Sequence, residues 1–459
     1  MKHLVILALV LIVFKISAQE DAAVRKLTFQ DAVSIAFKNN ITLGQQRNLL
    51  EASQMQKTAS VMAFAPTISV NGFAQQFNGN SFNQQQGRPV NGVRDAINGS
   101  LNTSLPLFNG FSIVNGARMA NSQLDAQSFF VKRTTEDVIN TVSGQFLQVL
   151  LDVELLKIAK ENFEALDVQL VQIKEQVAVG SRSPVDEYNQ QGQTKAAELR
   201  MLQAEINLTN DRAILTQTLL LDPFLEIEIE KPNWTISEME LIDPKVDEMY
   251  ALARENRGDL QRAIKNEDAA RYGLMATRGL LAPSLGAFFN YGSAYNYQHD
   301  VPDSVLANVP GLNRDFQDQF RKDNVFKSYG LFLSIPILNG FQTRSRVVQQ
   351  KITYRNNQLL KDNAEIQVKT DVLRAAKNFE VGKKSYSVSV AQLEAAKMAF
   401  QLESERYTLG VTNFVDFAQA NRTLVQAQTD KAQAEFRLIF QKVLLEYATG
   451  TLKIEGIQY

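Results

Sequence analysis

The sequence predicts a mixed α and β membrane protein assembled from several copies of one chain, with an internal tandem duplication. Three observations support this fold class: an N-terminal export signal, short segments with the alternating apolar pattern of membrane strands, and long proline-free segments with heptad spacing. Both halves of the chain contain the strand pattern and the heptad pattern.

The N-terminus has the form of a secretory signal peptide, predicted to span residues 1–18. An apolar run of eleven residues, Leu4 to Phe14, follows Lys2, and Ala18 precedes a polar stretch. A membrane-spanning helix requires roughly 20 apolar residues, and no later run reaches that length. We therefore expect an exported protein that is either soluble or a β-barrel.

The composition argues against several chemical functions. The chain has no cysteine and two histidines, His3 and His299, which leaves little for a metal site or a catalytic base. The formal net charge is −1, and removing Lys2 and Lys15 makes it −3, so the sequence offers no basic surface for nucleic acid. The sequence also contains no GxSxG, HExxH or glycine-rich phosphate motif. We predict a protein without catalytic activity, cofactor, metal site or nucleic-acid partner.

An internal repeat divides the chain into two similar halves. Two predicted helices match at an offset of 217 residues, and an insertion of 13 residues in the second half raises the offset to 230. Chance similarity between alanine-rich helices is the alternative, but the constant offset of the later motifs argues against it. The matched pairs are Phe29–Leu43 with Val246–Leu260, SLPLFNGF (Ser104–Phe111) with SIPILNGF (Ser334–Phe341), Gly180 with Gly410, and Asp186 with Asp416.

Each half contains a predicted helical hairpin. Residues 112–179 and 342–409 lack proline, so each segment can form one helix of 68 residues, about 100 Å long. Gly180 and Gly410 predict the turns, and return helices are expected at roughly 184–221 and 414–448. Apolar residues at every seventh position predict a coiled-coil seam: Val149, Leu156, Phe163, Leu170 and Val177, and then Phe379, Tyr386, Leu393, Phe400 and Tyr407.

Each half also contains two predicted strands, located after Pro66 and Pro283. In the second half the residues Leu285 to Tyr291 and Tyr329 to Ile335 alternate apolar with small or polar side chains. The first half shows a weaker alternation at Ile68, Val70, Leu101, Thr103 and Leu105. Half-exposed strands of a soluble sheet are the alternative. We expect the polar stretches at 78–97 and 293–327 to be solvent loops.

Four strands per chain predict an oligomer. In a membrane, the unpaired backbone groups at the edges of an open sheet would each cost several kcal/mol. Barrels begin at about eight strands, and twelve strands from three chains would enclose an open lumen. A ring of identical protomers is therefore expected.

The duplicated unit, the two NGF motifs and YTLGVTNFVDF (Tyr407–Phe417) resemble the TolC-like outer-membrane efflux protein family over the whole mature chain. The resemblance implies a homotrimer with a 12-stranded barrel in the outer-membrane lipid and a periplasmic α-helical coiled-coil barrel. It also implies a periplasmic adaptor (membrane fusion) protein and an inner-membrane transporter as partners. The expected organisation is a first repeat at 19–221, a linker at 222–245, a second repeat at 246–452, and a tail at 453–459. The LEIEIE segment of the linker (Leu225–Glu230) is similar to the small equatorial strand of the family.

The resemblance also implies site residues at the two helical turns. Asp416 matches an acid that lines the pore constriction, whereas Gln419 replaces a second acid, so the ring would carry half the charge. Tyr407 and Asp186 match a hydrogen-bonded pair between neighbouring helices. Thr412 replaces an arginine that some members of the family have in the second turn. Arg182 lies at the corresponding position of the first turn. The predicted adaptor-docking tips comprise Gly180, Ser181, Gly410 and Val411.

Two of these assignments have plainer alternatives. Asp416 could be an ordinary acid at a helix N-terminus, favoured by the helix dipole. Tyr407 could be only the next residue of the apolar seam.

The predicted function is an exit duct of a tripartite efflux or type I secretion system that conducts substrates passively. The alternative is an exported trimeric coiled coil with a structural or adhesive role and no pore. Heptads fit both functions equally well. Two matched strand pairs with apolar alternation favour the duct, because a stalk does not need them.

Overall fold

The computed structural model describes residues 25–83, 87–225, 227–232, 241–299 and 312–453, together with the single residues 234, 236, 239, 301 and 306. The predicted signal peptide at 1–18 lies outside these residues, as does 454–459 of the predicted tail. No helix in the described part of the chain has both the length and the hydropathy of a membrane span. The chain divides into two compact units, one helical and one built on a sheet.

The predicted long helices and their return helices are confirmed. The first long helix ends at Ala178 and the second at Thr408, each one residue before the predicted end. The helices are α1 (Phe29–Asn39), α2 (Ile41–Met62), α3 (Ser112–Ala178), α4 (Pro184–Thr218), α5 (Val246–Asn256), α6 (Gly258–Gly279), α7 (Gln342–Thr408) and α8 (Phe414–Thr449). The element order α–α–β–β–α–α of the first half returns in the second half, where a short helical segment precedes the last strand.

The helical unit contains residues 25–46, 131–258 and 366–453 of the described chain. Its first helix, α1, begins with a capping box in which the Thr28 hydroxyl accepts from the Asp31 N–H at 3.1 Å. A short strand β1 (Arg25–Leu27) pairs in parallel with β4 (Ile227–Ile229). Strand β4 lies within the segment in which the sequence suggests a short strand.

The predicted seam forms the core of this unit. Val149, Leu170, Phe379 and Tyr407 are buried, and the other predicted seam residues are half-buried. Fully burying a large apolar side chain contributes about 1.5–3 kcal/mol relative to leaving it exposed. Each helix therefore gains its stability along one narrow stripe, as the heptad spacing predicts.

The sheet unit contains the described residues of 47–130 and 259–365. Its antiparallel sheet has the order β2 (Thr67–Asn83), β3 (Arg88–Asn109), β5 (Ser284–Gln298) and β6 (Phe326–Ser334). The first and second predicted strand pairs are therefore neighbours in one sheet. Within it, β2 and β6 are the edge strands, each with a pairing partner on one side.

The predicted solvent loops are shorter than expected. Most of the first predicted loop, 78–97, belongs to a β-hairpin whose register continues to the pair Asn83 and Arg88. The start of the second, 293–298, continues β5. These segments carry polar side chains on both faces, so the alternation that marks a half-buried strand is absent although the backbone pairing continues.

One face of the sheet is apolar and the other is largely polar, as the alternation predicts. Cross-strand pairs such as Val70 with Leu101 and Leu101 with Tyr291 place apolar side chains together, and we call this the apolar face. Its other large side chains include Ile68, Phe289, Tyr329, Leu331 and Leu333. The opposite, polar face carries Ser69, Asn71, Ser100, Asn102, Asn290 and Ser328.

Side-chain amides form hydrogen bonds with the backbone at the end of β5, where this strand no longer pairs with β6. Pairing with β6 stops at Gly292, and beyond it Gln319 accepts from the Asn296 N–H at 3.1 Å and donates to the Asn296 carbonyl at 2.9 Å. Asn313 makes the same two bonds to Gln298, both at 2.7 Å. The backbone edge is therefore satisfied where β6 is absent.

We expect Gln319→Ala to destabilise the folded protein by about 2–3 kcal/mol, because two backbone groups of Asn296 lose their partners at a partly buried position. The thermal unfolding midpoint of the purified protein measures the change. Gln317→Ala is the matched control, since Gln317 is exposed in the same segment. Equal losses in the two variants would contradict the role given to the Gln319 amide.

Candidate functional site at the helical turns

Two tight turns of the helical unit connect the long helices to the return helices. Gly180 follows α3 with a φ of 77°, and Gly410 follows α7 with a φ of 74°. Only glycine adopts this left-handed conformation without strain. Ser181 and Val411 each donate their backbone N–H to the carbonyl five residues earlier, at 2.8 and 2.9 Å. Both long helices therefore end in the same glycine motif.

Arg182 links the first turn to the end of α7. Its Nη2 atom donates a hydrogen bond to the Tyr407 carbonyl at 3.1 Å, and its guanidinium carbon lies 4.3 Å from the centre of the Tyr407 ring. The last carbonyls of a helix carry the negative end of its dipole, which a cation stabilises. Arg182 therefore joins the two helical hairpins through both a charge-assisted bond and a ring contact.

The Tyr407 ring belongs to an apolar cluster beneath the turns. It stacks on Phe417 with 4.8 Å between the ring centres, and Ile173 is the third buried member of the cluster. The partly buried side chains around them are Val177, Phe400 and Phe414. The cluster connects α3, α7 and α8 just below the turns, so Tyr407 is a seam residue as well as a contact of Arg182.

The predicted hydrogen bond between Tyr407 and Asp186 is not formed within the chain. The Tyr407 hydroxyl is buried and has no hydrogen-bond partner of good geometry among the described residues. Burial raises the pKa of Tyr407, and the positive charge of Arg182 acts in the opposite direction. The ring packs into the apolar cluster and against Arg182, while Asp186 lies in the first turn of α4.

Asp416 occupies the first turn of α8 and takes part in its cap. Its N–H donates to the Asn413 side chain at 3.0 Å, and the Asn413 amide and the Thr412 hydroxyl donate back to its carboxylate at 3.0 and 3.3 Å. Asp416 and Gln419 are both exposed in the single chain and lie three residues apart on one face of the helix. Asp416 therefore takes part in the N-terminal cap of α8, which is the plainer alternative that the sequence leaves open for it.

Two contacts of the site were not predicted. The Asn413 cap has a readable sequence signal, because an asparagine three residues before an acid is typical of a helix start. The bond from Arg182 to the Tyr407 carbonyl joins residues 225 positions apart, and no sequence spacing indicates it. Among the described residues, no group of three or more His, Cys, Asp or Glu side chains could hold a metal ion.

Solved structures with a similar fold are outer-membrane channels. The outer membrane protein VceC of Vibrio cholerae superposes with a TM-score of 0.79 at 13% identity, covering 92% of this chain and 96% of that one. The CmeC outer membrane channel of Campylobacter jejuni gives a TM-score of 0.78 at 14% identity, covering 94% of this chain and 87% of that one. At these identities the likeness establishes the fold.

Proteins of similar sequence identify the class of protein to which the chain belongs. The chain is 20% identical over 433 residues to the outer membrane efflux protein BepC of Brucella suis, covering 94% of this chain and 87% of BepC. The family model for outer membrane efflux proteins matches residues 32–219 and 249–451. The chain therefore belongs to the outer membrane efflux protein family. It is an outer-membrane protein with a large periplasmic helical portion, and it serves as an efflux exit channel.

Proposed function

We propose that three copies of the chain form a passive duct through which substrates cross the periplasm and the outer membrane. The observation that carries this proposal is the four-stranded sheet with one apolar face and two edge strands, β2 and β6. In hydrocarbon, unpaired edge groups cost several kcal/mol each, so the edges must pair with those of other copies.

The number of copies follows from the size of the lumen. Two copies would give eight strands, and an interior of that size is filled by side chains. Three copies give twelve strands and leave room for a water-filled passage lined by the polar face. The same number of copies brings together twelve of the long helices and return helices, enough to close a ring around a lumen.

The repeated element order in the two halves supports a tandem duplication. Each half contributes two strands and one helical hairpin, and the two glycine turns have nearly equal geometry. The repeat therefore gives each protomer two similar sets of elements for both rings.

We assign the pore constriction to Asp416 and Gln419, and the gate to Arg182, Tyr407, Asp186 and Thr412. Three copies of Asp416 facing one lumen would attract cations and repel anions. The bond between Arg182 and the end of α7 supports a gate that holds the two hairpins of each protomer together.

The turns also supply a docking surface for a periplasmic adaptor. Val179, Leu409 and Val411 are 79%, 78% and 66% exposed beside Gly180, Ser181 and Gly410. Exposed apolar side chains at the tip of a polar helical hairpin favour contact with another protein. An inner-membrane transporter would supply the energy, because we assign the duct no catalytic activity and no cofactor. A tripartite efflux system or a type I secretion system fits this arrangement.

Reversal potentials across planar lipid bilayers with a salt gradient test the duct and its constriction together. Asp416→Ala is expected to lower cation selectivity, because it removes the ring of carboxylates. Gln419→Glu is the complementary variant and is expected to raise it, since it adds a second ring one turn further along the same face. Unchanged selectivity in both variants would exclude this face of α8 as the constriction.

A trimeric coiled coil without a pore, with a structural or adhesive role, is the second candidate. The heptad seam fits it, but the apolar face of the sheet does not, because such a stalk has no use for a membrane-facing surface. Extraction from cell envelopes separates the two functions: a duct requires detergent, whereas a stalk without a barrel is released by salt or buffer.

A further inference from the structure

A buried carboxyl group with one unpaired oxygen lies between α3 and α4. Asp152 of α3 is 4% exposed. Its Oδ1 atom accepts from the Gln148 amide at 3.2 Å, whereas its Oδ2 atom is buried without a hydrogen-bond partner. An unpaired carboxylate oxygen in such a place is costly, so the group requires an explanation.

The group that faces Asp152 is another acid, Asp211 of α4, within hydrogen-bonding reach of it. Two ionised carboxylates in contact repel each other and neither can donate a hydrogen bond. When one of them is protonated, its O–H supplies the missing partner and the repulsion disappears. A single proton therefore removes the repulsion between the two carboxylates and gives the unpaired oxygen a hydrogen-bond partner.

We propose that Asp152 and Asp211 share one proton across the α3–α4 hairpin, and that loss of this proton loosens the hairpin. This inference goes beyond the proposed duct and does not depend on it, because it concerns contacts within one chain. It makes the stability of the helical unit sensitive to pH.

The surroundings favour a proton over a metal ion as the occupant. Two carboxyl groups are present, and no cluster of three or more potential metal ligands occurs in the described residues. Asp152 lines a cavity of about 510 Å³, whose other walls are apolar side chains of α3 and α8 together with Gln148, Asn207, Gln433 and Arg437. Arg437 is the charged group that α8 presents to this cavity.

The pKa of Asp152 agrees with this arrangement. Burial raises it most, contact with Asp211 raises it further, and the Gln148 amide acts in the opposite direction, giving a value of about 7 against an ordinary value of 3.8. Below about pH 4 the group is protonated in both folded and unfolded chains. Between about pH 4 and 7 the folded chain retains the proton that the unfolded chain releases, so stability falls as pH rises through this window.

Thermal unfolding of the full-length protein in detergent, at about pH 5 and about pH 8.5, tests the proposal. We expect the wild-type midpoint to fall by several degrees at the higher pH. Asp152→Asn should lose most of this difference, because the amide donates to Asp211 at every pH. Asp211→Asn should lose a smaller part of it, because burial, the largest cause of the raised pKa of Asp152, remains. Asp167→Asn, at an exposed position of α3, is the matched control that retains the wild-type difference.

Two results would overturn the proposal. One is a pH difference in Asp152→Asn and Asp211→Asn as large as in the wild type and the control. The other is recovery of the wild-type midpoint at high pH on adding calcium chloride, with loss of that recovery in both Asn variants, which would identify a cation site instead. Infrared difference spectra between about pH 5 and about pH 8.5 provide a direct readout, since the wild type should lose more protonated carboxyl absorption on this change than Asp152→Asn does.

Discussion

Leu331→Arg is expected to abolish assembly of the protein in the outer membrane. Leu331 lies near the middle of β6 on the apolar face and is 67% exposed in the single chain. A charged side chain at the centre of a membrane strand costs about 2–4 kcal/mol, and three copies would each add this cost to one barrel. The folded oligomer in outer-membrane fractions, detected by its resistance to unfolding at room temperature in gel electrophoresis, measures the effect.

Ser328→Arg is the matched control for this variant. Ser328 lies in the same strand, three residues away, on the polar face that the proposal directs toward the lumen. It should assemble nearly as well as the wild type, because a lumenal arginine remains hydrated. Assembly of Leu331→Arg together with failure of Ser328→Arg would reverse the assignment of the two faces.

Arg182→Ala is expected to increase the conductance of the resting channel. The variant loses the hydrogen bond to the Tyr407 carbonyl and the contact with its ring, together about 1–2 kcal/mol per chain at this partly buried position. If the three copies act together, the equilibrium between closed and open turns shifts about a hundredfold or more toward the open form. Single-channel recordings of the open probability measure this shift.

Two comparison variants separate the contacts of Arg182. Arg182→Lys keeps the charge but loses the planar contact with the ring, so an intermediate conductance is expected. Tyr407→Phe keeps the ring and removes a hydroxyl that forms no hydrogen bond of good geometry within the described part of the chain, so conductance should remain at the wild-type level. If conductance increased strongly in Tyr407→Phe and not in Arg182→Ala, the result would contradict this account. It would indicate that a hydrogen bond between Tyr407 and Asp186 is the principal contact of the gate.

The long helices and the strands of the second half could be predicted because their signals are local. Proline-free heptads define α3 and α7 to within one residue, and the alternation from Leu285 to Tyr291 identifies β5. Where both faces of a strand are polar, as at 78–83, no local signal distinguishes a strand from a loop. The ends of β2, β3 and β5 were therefore missed.

The sequence predicts the two helical turns but not the contacts between them. Glycine turns and the Asp416 position follow from the sequence pattern and from the family resemblance. Which side chain meets Tyr407 depends on how two distant hairpins pack, and that packing favours Arg182 over Asp186. The Asp152 and Asp211 pair gives no sequence signal either, because each acid alone resembles an ordinary residue of a helix surface.

Single-channel conductance of the purified wild-type protein in planar lipid bilayers tests the central claim most directly. The proposal predicts discrete current steps of one size from an oligomer whose mass corresponds to three chains. Absence of current steps from a folded protein that requires detergent for extraction, and that inserts into the bilayer, would contradict a water-filled duct.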